Sequence, residues 1–282
     1  MESTKTGFLF LFRKMPLATL KPPIIKINDV PKDARPFYYK KGERGIFFVH
    51  GFTDSLCRVN GFAKFLANQG ISSKGILMPG HGGTWEDLAK TSLNDWYKSV
   101  EKGIIEMASE VKEVYVVGIS LGGNFALKVA AKHPDKVKGV VLIESPMRIK
   151  NQYITRAAIP FAQAMGFKYW KKQYLKRLTH PEKDIVFDQG VLDRMPLNNI
   201  AQIIDFLENR QGFLKKVKCD VLIIQSEKSS LVTKSSAQQI YNSISSKRKE
   251  IFYHNNIYHA FLSEQAKKSI FYKAADFFGI DI

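Results

Sequence analysis

Short apolar runs separated by helical repeats set the pattern of this chain from residue 46 onward. Ile46-Phe47-Phe48-Val49, Gly75-Ile76-Leu77-Met78, Val114-Tyr115-Val116-Val117, Val140-Val141-Leu142-Ile143 and Val221-Leu222-Ile223-Ile224 are apolar or aromatic at nearly every position. A strand with one wet face alternates. A strand apolar throughout is covered on both faces, which is how parallel sheets read. Amphipathic patterns fill the gaps: Gly61 to Asn68, Leu93 to Glu110, Leu121 to Lys132, Ser235 to Ser243 and Ser263 to Phe278. In the second of these, Trp96, Val100, Ile104 and Met107 fall on one helical face. A further strand is expected at Glu250 to Tyr253. The pattern predicts an α/β fold, a mostly parallel central sheet with helices on both faces.

The rhythm stops between Pro146 and about Lys216, a stretch rich in Ala, Phe, Met and Trp with no strand candidate. It is too long for a loop. It is read as a helical cap inserted after the strand that ends at Glu144, over the C-terminal sheet edge where ligands bind in open α/β sheets. The expected division is a core of residues 1–145 and 217–282 and a cap of 146–216. Its apolar residues Ile159, Phe161, Met165, Phe167 and Trp170 suit an acyl chain, or they pack the cap against itself.

Composition changes this picture little. The 282 residues hold 45% apolar and 24% charged side chains, ordinary for a globular chain. No run reaches the length of a membrane span. Phe8 to Phe12 is a short apolar run ended by Arg13-Lys14 and is read as a strand or docking segment, with a membrane-surface anchor as the alternative. Two cysteines, Cys57 and Cys219, make no disulfide framework and fit a reducing cytoplasm. The formal charge of +17 is spread along the chain without a nucleic-acid-binding signature. It leaves weak attraction to an anionic membrane surface as a partner class.

Gly118-Ile119-Ser120-Leu121-Gly122 matches G-x-S-x-G, directly after an apolar run and directly before a helix. That context makes Ser120 the candidate nucleophile, held on a tight turn that needs small neighbours. Two donors must meet an oxyanion. The Leu121 N–H is one, and the Phe52 N–H, in His50-Gly51-Phe52-Thr53 after the first run, is the other. Gly51 permits close approach there. Of six histidines, His259 lies between the last strand and the last helix, where the base is expected; His254 is its competitor. His81, in Pro79-Gly80-His81-Gly82, is a candidate pocket residue.

Together the His50 to Thr53, Pro79 to Gly82 and Gly118 to Gly123 motifs and Tyr258-His259 resemble the carboxylesterase and monoacylglycerol-lipase branch of the α/β-hydrolases. The resemblance runs from about residue 44 to the C-terminus. It implies serine-dependent cleavage of a small carboxyl ester without metal or organic cofactor; an apolar acyl group is suggested only by the cap's apolar residues. The chain departs from the family at the acid. The aspartate that follows the Val221 to Ile224 strand in the family aligns with Ser229. Three readings stay open. Glu144, at the end of the Val140 to Ile143 strand, is an acid position in some relatives; Glu227 is nearby; or no carboxylate serves and Ser229 orients the ring. The missing aspartate also leaves open a hydrolase-fold binding protein without turnover. Thioester hydrolysis, acyl transfer and peptidase action would use the same serine and histidine.

Overall fold

The computed structural model describes residues 29–172, 190–229, 231–254, 257–258, 261–262 and 264–280. The first strand, β1 (Phe37–Tyr39), is followed by β2 (Arg44–Val49), α1 (Asn60–Asn68), β3 (Ser72–Gly75), α2 (Trp85–Ala89) and α3 (Leu93–Glu110). Then come β4 (Glu113–Ile119), α4 (Leu121–Lys132) and β5 (Gly139–Ile143). The insertion carries α5 (Gln152–Ala164), β6 (Tyr169–Lys171), β7 (Arg194–Pro196), α6 (Leu197–Asn209) and α7 (Gln211–Leu214). The core resumes with β8 (Asp220–Ser226), α8 (Ser236–Ser243), β9 (Lys249–His254), the hairpin β10 (Ile257–Tyr258) and β11 (Phe261–Leu262), and α9 (Glu264–Phe277).

Seven strands form one sheet in the order β1-β3-β2-β4-β5-β8-β9. Only the β1–β3 pair is antiparallel. Successive side chains of a strand serve opposite faces. Phe47, Val49, Val116 and Leu142 pack with Trp96, Val100, Ile104 and Phe125 of α3 and α4. Ile46, Phe48, Val117 and Val141 pack with Phe62 and Leu66 of α1 and with Ile270, Ala274 and Phe277 of α9. Apolar positions on both sides of each strand therefore follow from two helical layers.

The helices Leu93 to Glu110 and Leu121 to Lys132 match the expected spans. Ser92 fixes the start of α3 through a capping box: its hydroxyl accepts from the Asp95 N–H at 3.2 Å, and the Asp95 carboxylate accepts from the Ser92 N–H at 2.9 Å.

Two expectations require correction. The strand placed at Gly75 to Met78 lies earlier, at Ser72–Gly75. Its buried side chains include Ser72 and Ser73, which carry no hydrophobic signal. Ser72 is satisfied by accepting from the Lys41 N–H at 2.9 Å and donating to the Gly42 carbonyl at 2.8 Å. Met78, assigned to the strand, is buried in the core beyond its end. The insertion, read as helical without strands, contains the antiparallel pair β6–β7. Three residues per strand are too few to show an alternation. The fourth sheet run also stops at Ile143, one residue before Glu144.

Ile159, Ala162, Phe167, Leu197, Ile200 and Ile204 give the insertion its own small core, with Phe52 packed against it. Ile159 and Phe167, read as acyl-chain candidates, are consumed there, while Phe161 and Met165 face outward. The Phe8 to Phe12 run lies outside the described residues.

Candidate active site

The β4–α4 turn holds Ser120 at φ 52°, ψ −120°, a conformation costly for any residue with a Cβ. The turn around it has no spare volume. A Cβ on Gly122 would stand 2.4 Å from the Val49 carbonyl oxygen and 2.5 Å from that of His50. A Cβ on Gly118 would stand 2.4 Å from the Gly123 Cα. Small residues flank Ser120 because the β4–α4 corner is pressed against the end of β2. The Ser120 N–H donates to the Ile143 carbonyl at 2.8 Å, which fixes the serine to the neighbouring β5 end.

The turn after β2 lies against the serine. A Cβ on Gly51 would be 3.2 Å from Ser120 Cβ and 3.8 Å from its Oγ. Thr53 is left-handed at φ 59° and donates its hydroxyl to the Phe52 carbonyl at 2.5 Å, while its own carbonyl accepts from Leu192 N–H at 2.9 Å. These contacts hold the turn beyond Phe52, while the peptide that carries the Phe52 N–H is held through the Gly51 carbonyl, which accepts from the Asp54 N–H at 3.3 Å and from His50 Nδ1 at 2.8 Å. Neither the Phe52 N–H nor the Leu121 N–H has an acceptor among the described residues.

His50 supports this turn and does no visible chemistry. Its Nε2 accepts from the Met78 N–H at 3.0 Å, so its Nδ1 carries the proton and donates to the Gly51 carbonyl at 2.8 Å. Burial lowers its pKa, so it stays neutral. His81 is 2% exposed and its ring meets those of His50, Trp96 and Phe52 at 4.8, 5.2 and 6.4 Å. Burial, then His50, hold it well below the ordinary histidine value. It backs the Phe52 ring, and its own side chain is closed to solvent. Asp54, which follows the turn, is a buried carboxylate. Burial pushes its pKa up, but Arg58, with Nε at 2.9 Å, holds it low.

Glu144 follows β5 directly, is fully buried and has φ 52°. Its N–H donates to the Ile224 carbonyl at 2.9 Å. The side chain runs across the end of the next strand. Oε1 accepts from the Ser226 N–H, and Oε2 from Gln225 Nε2 at 3.4 Å. His254 Nε2, at the end of β9, is 3.6 Å from Oε1. A carboxylate rooted on β5 thus sits at the C-terminal end of β8, where the family's aspartate would approach from the following loop.

The other acid candidates stand differently. Glu227 is exposed. Ser229 is buried, its hydroxyl accepts from the Val232 N–H at 3.2 Å, and its carbonyl accepts from Lys150 Nζ at 2.7 Å. His259 lies outside the described residues. Among the described residues no three His, Cys, Asp or Glu side chains converge as a metal site requires.

Sequence reasoning missed two buried cations: Arg58, 5% exposed and paired with Asp54, and Arg210, which has no carboxylate partner among the described residues. Arg210, between α6 and α7, is 1% exposed and donates from Nη1 to Asn124 Oδ1 at 3.1 Å and to the Pro146 carbonyl at 2.9 Å. It joins the insertion to α4. An arginine at a helix end gives no sequence signal of burial.

Known proteins share this architecture. A thermostable monoacylglycerol lipase of Bacillus sp. (strain H-257) is 28% identical over 245 residues, 87% of this chain and 94% of that protein. A carboxylesterase of Bacillus subtilis (strain 168) is 25% identical over 218 residues, 77% of this chain and 85% of that protein. A solved structure of a metagenome-derived lipolytic enzyme, from work on LipS and LipT, superposes with TM-score 0.73 at 23% identity, over 89% of this chain and 99% of that one. A soluble variant of monoglyceride lipase from Saccharomyces cerevisiae gives 0.71 at 13% identity, over 86% and 90%. The family model described as serine aminopeptidase, S33 (Hydrolase_4) matches residues 41–266, and with the elbow at Ser120 and the β1-β3-β2-β4-β5-β8-β9 sheet in place, the chain belongs to this family of α/β hydrolases.

Proposed function

We propose that the chain cleaves small carboxyl esters through an acyl-enzyme on Ser120. His259 takes the hydroxyl proton as Ser120 attacks the carbonyl, and Glu144 holds the imidazole in the right tautomer and offsets its charge. The Phe52 and Leu121 amides stabilise the oxyanion, with Gly51 leaving room for the carbonyl. Water, activated by the same histidine, then releases the acid. His81 acts from behind, by fixing the Phe52 ring at the pocket wall. The observation that carries the reading is the strained Ser120 with the Gly51-Phe52 turn packed on it. Two relatives named for ester cleavage support the bond type.

Residues 146–216 act as the cap, because their core packs on Phe52 beside the nucleophile. The apolar contacts of Phe52 with the cap favour an apolar acyl group. The family's description also raises peptide cleavage. An aminopeptidase must bind the substrate's ammonium with a free carboxylate, and Asp54, buried just after the oxyanion turn, is already paired with Arg58. Two cysteines in a chain of 282 residues, Cys57 and Cys219, suit a reducing cytoplasm.

Among the described residues no helix is long and apolar enough to cross a membrane. The cap nevertheless presents Tyr153, Ile154, Phe161 and Met165 to solvent along α5, all more than 45% exposed, with Lys150 and Lys168 at its ends. This face touches an anionic lipid surface. Replacing Ile154 and Phe161 by Glu should abolish co-sedimentation with phosphatidylglycerol vesicles; unchanged sedimentation would rule the contact out.

The test of the reaction is direct. A fluorophosphonate probe should label the wild-type chain and not Ser120→Ala, and p-nitrophenyl esters should be turned over faster than aminoacyl p-nitroanilides. Equal labelling, or the reverse preference, refutes the reading.

A further inference from the structure

A cavity of ≈ 370 Å³ opens where α5, α6, α7 and α8 meet the loop after β5. Its wall includes Arg148, Gln152, Arg156, Glu208 and Arg210. The charges on this wall do not balance. Arg156 is neutralised by Asp205 at 3.0 Å and by Glu208. Among the described residues Arg210 has only neutral acceptors, the carbonyls of Pro146 and Met147 and the side chain of Asn124. Its Nε has no acceptor among the described residues although the side chain is almost fully buried. Burial, then the nearby Arg148, lower its pKa to about 9, the direction expected when no anion compensates a buried guanidinium. Arg148 is exposed, has no ion-pair partner among the described residues, and makes a ring contact with Tyr153 at 5.9 Å.

A buried cation without a counter-charge is costly, and proteins normally pair it. Here the structure supplies two adjacent positive charges, a cavity and an orphaned N–H donor. We infer that this cavity is an anion site for a phosphate group, bound between Arg148 and Arg210. Two uncompensated guanidiniums match a dianion better than a carboxylate, and their planar forks suit phosphate oxygens. The cavity has room for about twelve water-sized volumes of about 30 Å³ each, more than one phosphate fills. Gln152 and Gln239 on the wall suit a polar remainder. The ligand class is therefore a small polar phosphate monoester. None of these groups takes part in the proposed ester cleavage, so the site stands or falls separately from Ser120.

Calorimetric titration of the full chain at fixed ionic strength tests the site. The probes are ribose 5-phosphate, inorganic phosphate, ribose and acetate. Ribose 5-phosphate should bind saturably, ribose and acetate should not, and inorganic phosphate should compete. A tighter constant for the monoester than for inorganic phosphate assigns the polar remainder a role. Arg148→Gln should weaken binding about tenfold or more, and Arg148→Lys, which keeps the charge but not the fork, should fall between. Arg148 is exposed, so p-nitrophenyl ester turnover at the wild-type level certifies that each variant is folded. Absence of saturable ribose 5-phosphate binding, equal binding of acetate, or an unchanged constant in Arg148→Gln overturns the inference.

Discussion

Replacing Glu144 by Gln changes the shape of the side chain hardly at all and removes one charge. In the wild type both carboxylate oxygens accept: Oε1 from the Ser226 N–H and Oε2 from Gln225 Nε2. A glutamine there has one acceptor and one donor. If its NH₂ faces the Ser226 N–H, two donors meet in a fully buried place; if it faces Gln225, that amide must flip to accept and gives up its own bond to the Ser226 carbonyl. An unsatisfied buried polar group costs about 1–3 kcal/mol, so the variant should lose that much stability. A purely structural role would end there. If Glu144 is the acid of the triad, turnover of the folded variant should also fall by about 10⁴-fold, with residual activity from the oxyanion donors. The assay is kcat and KM on a p-nitrophenyl ester well below the unfolding midpoint, with urea denaturation in parallel. Adding Ser229→Asp to Glu144→Gln should recover part of kcat, because it returns a carboxylate to the family's position. A folded Glu144→Gln enzyme with kcat within about tenfold of wild type would refute the assignment.

Gly122→Ala would push a Cβ into two backbone carbonyls at 2.4 and 2.5 Å. Relief requires moving the elbow or the end of β2, so kcat should fall about 10²-fold or more and stability by about 1–3 kcal/mol. Gly61→Ala, with nothing within 4 Å of its Cβ, should leave kcat unchanged; equal kinetics for both variants would remove the packing argument. Glu101 gives a pH signature. Burial raises its pKa, but hydrogen bonds from Lys132, His133 and Tyr97 outweigh this and hold it at about 2. The folded state thus binds fewer protons than the unfolded one, and this stability is complete above pH 4.5 and lost as pH falls toward 2. Urea midpoints of Glu101→Gln should show a shallower decline across that window, and a parallel decline would contradict the sign.

Much of the framework was legible because it is local. Helices α3 and α4 were readable, since an apolar face repeats within a few positions. Ser120 was legible for the same reason: strand, small residues and helix are contiguous in sequence. β3 was not, because its buried serines replace hydrophobic contacts with hydrogen bonds to a distant part of the chain, Lys41 and Gly42. The β6–β7 ribbon was too short to carry a period.

The sequence by itself determined the strands β2, β4, β5, β8 and β9, that the sheet is covered on both faces, and that one serine sits at a strand-to-helix corner. It offered Glu144, Glu227 and Ser229 without a means of choosing, since each lies near some strand end. Tertiary structure decided where each of them stands. β5 and β8 are neighbours in the sheet although the whole insertion separates them along the chain. That pairing carries the Glu144 carboxylate onto the end of β8, while Glu227 points to solvent and Ser229 is used by its own loop. The same holds for Arg210, whose burial depends on α4 and the β5 loop closing around it. Periodicity reports which face of an element is apolar; which elements meet is fixed by long-range packing, and the chemistry at their junctions is fixed with it.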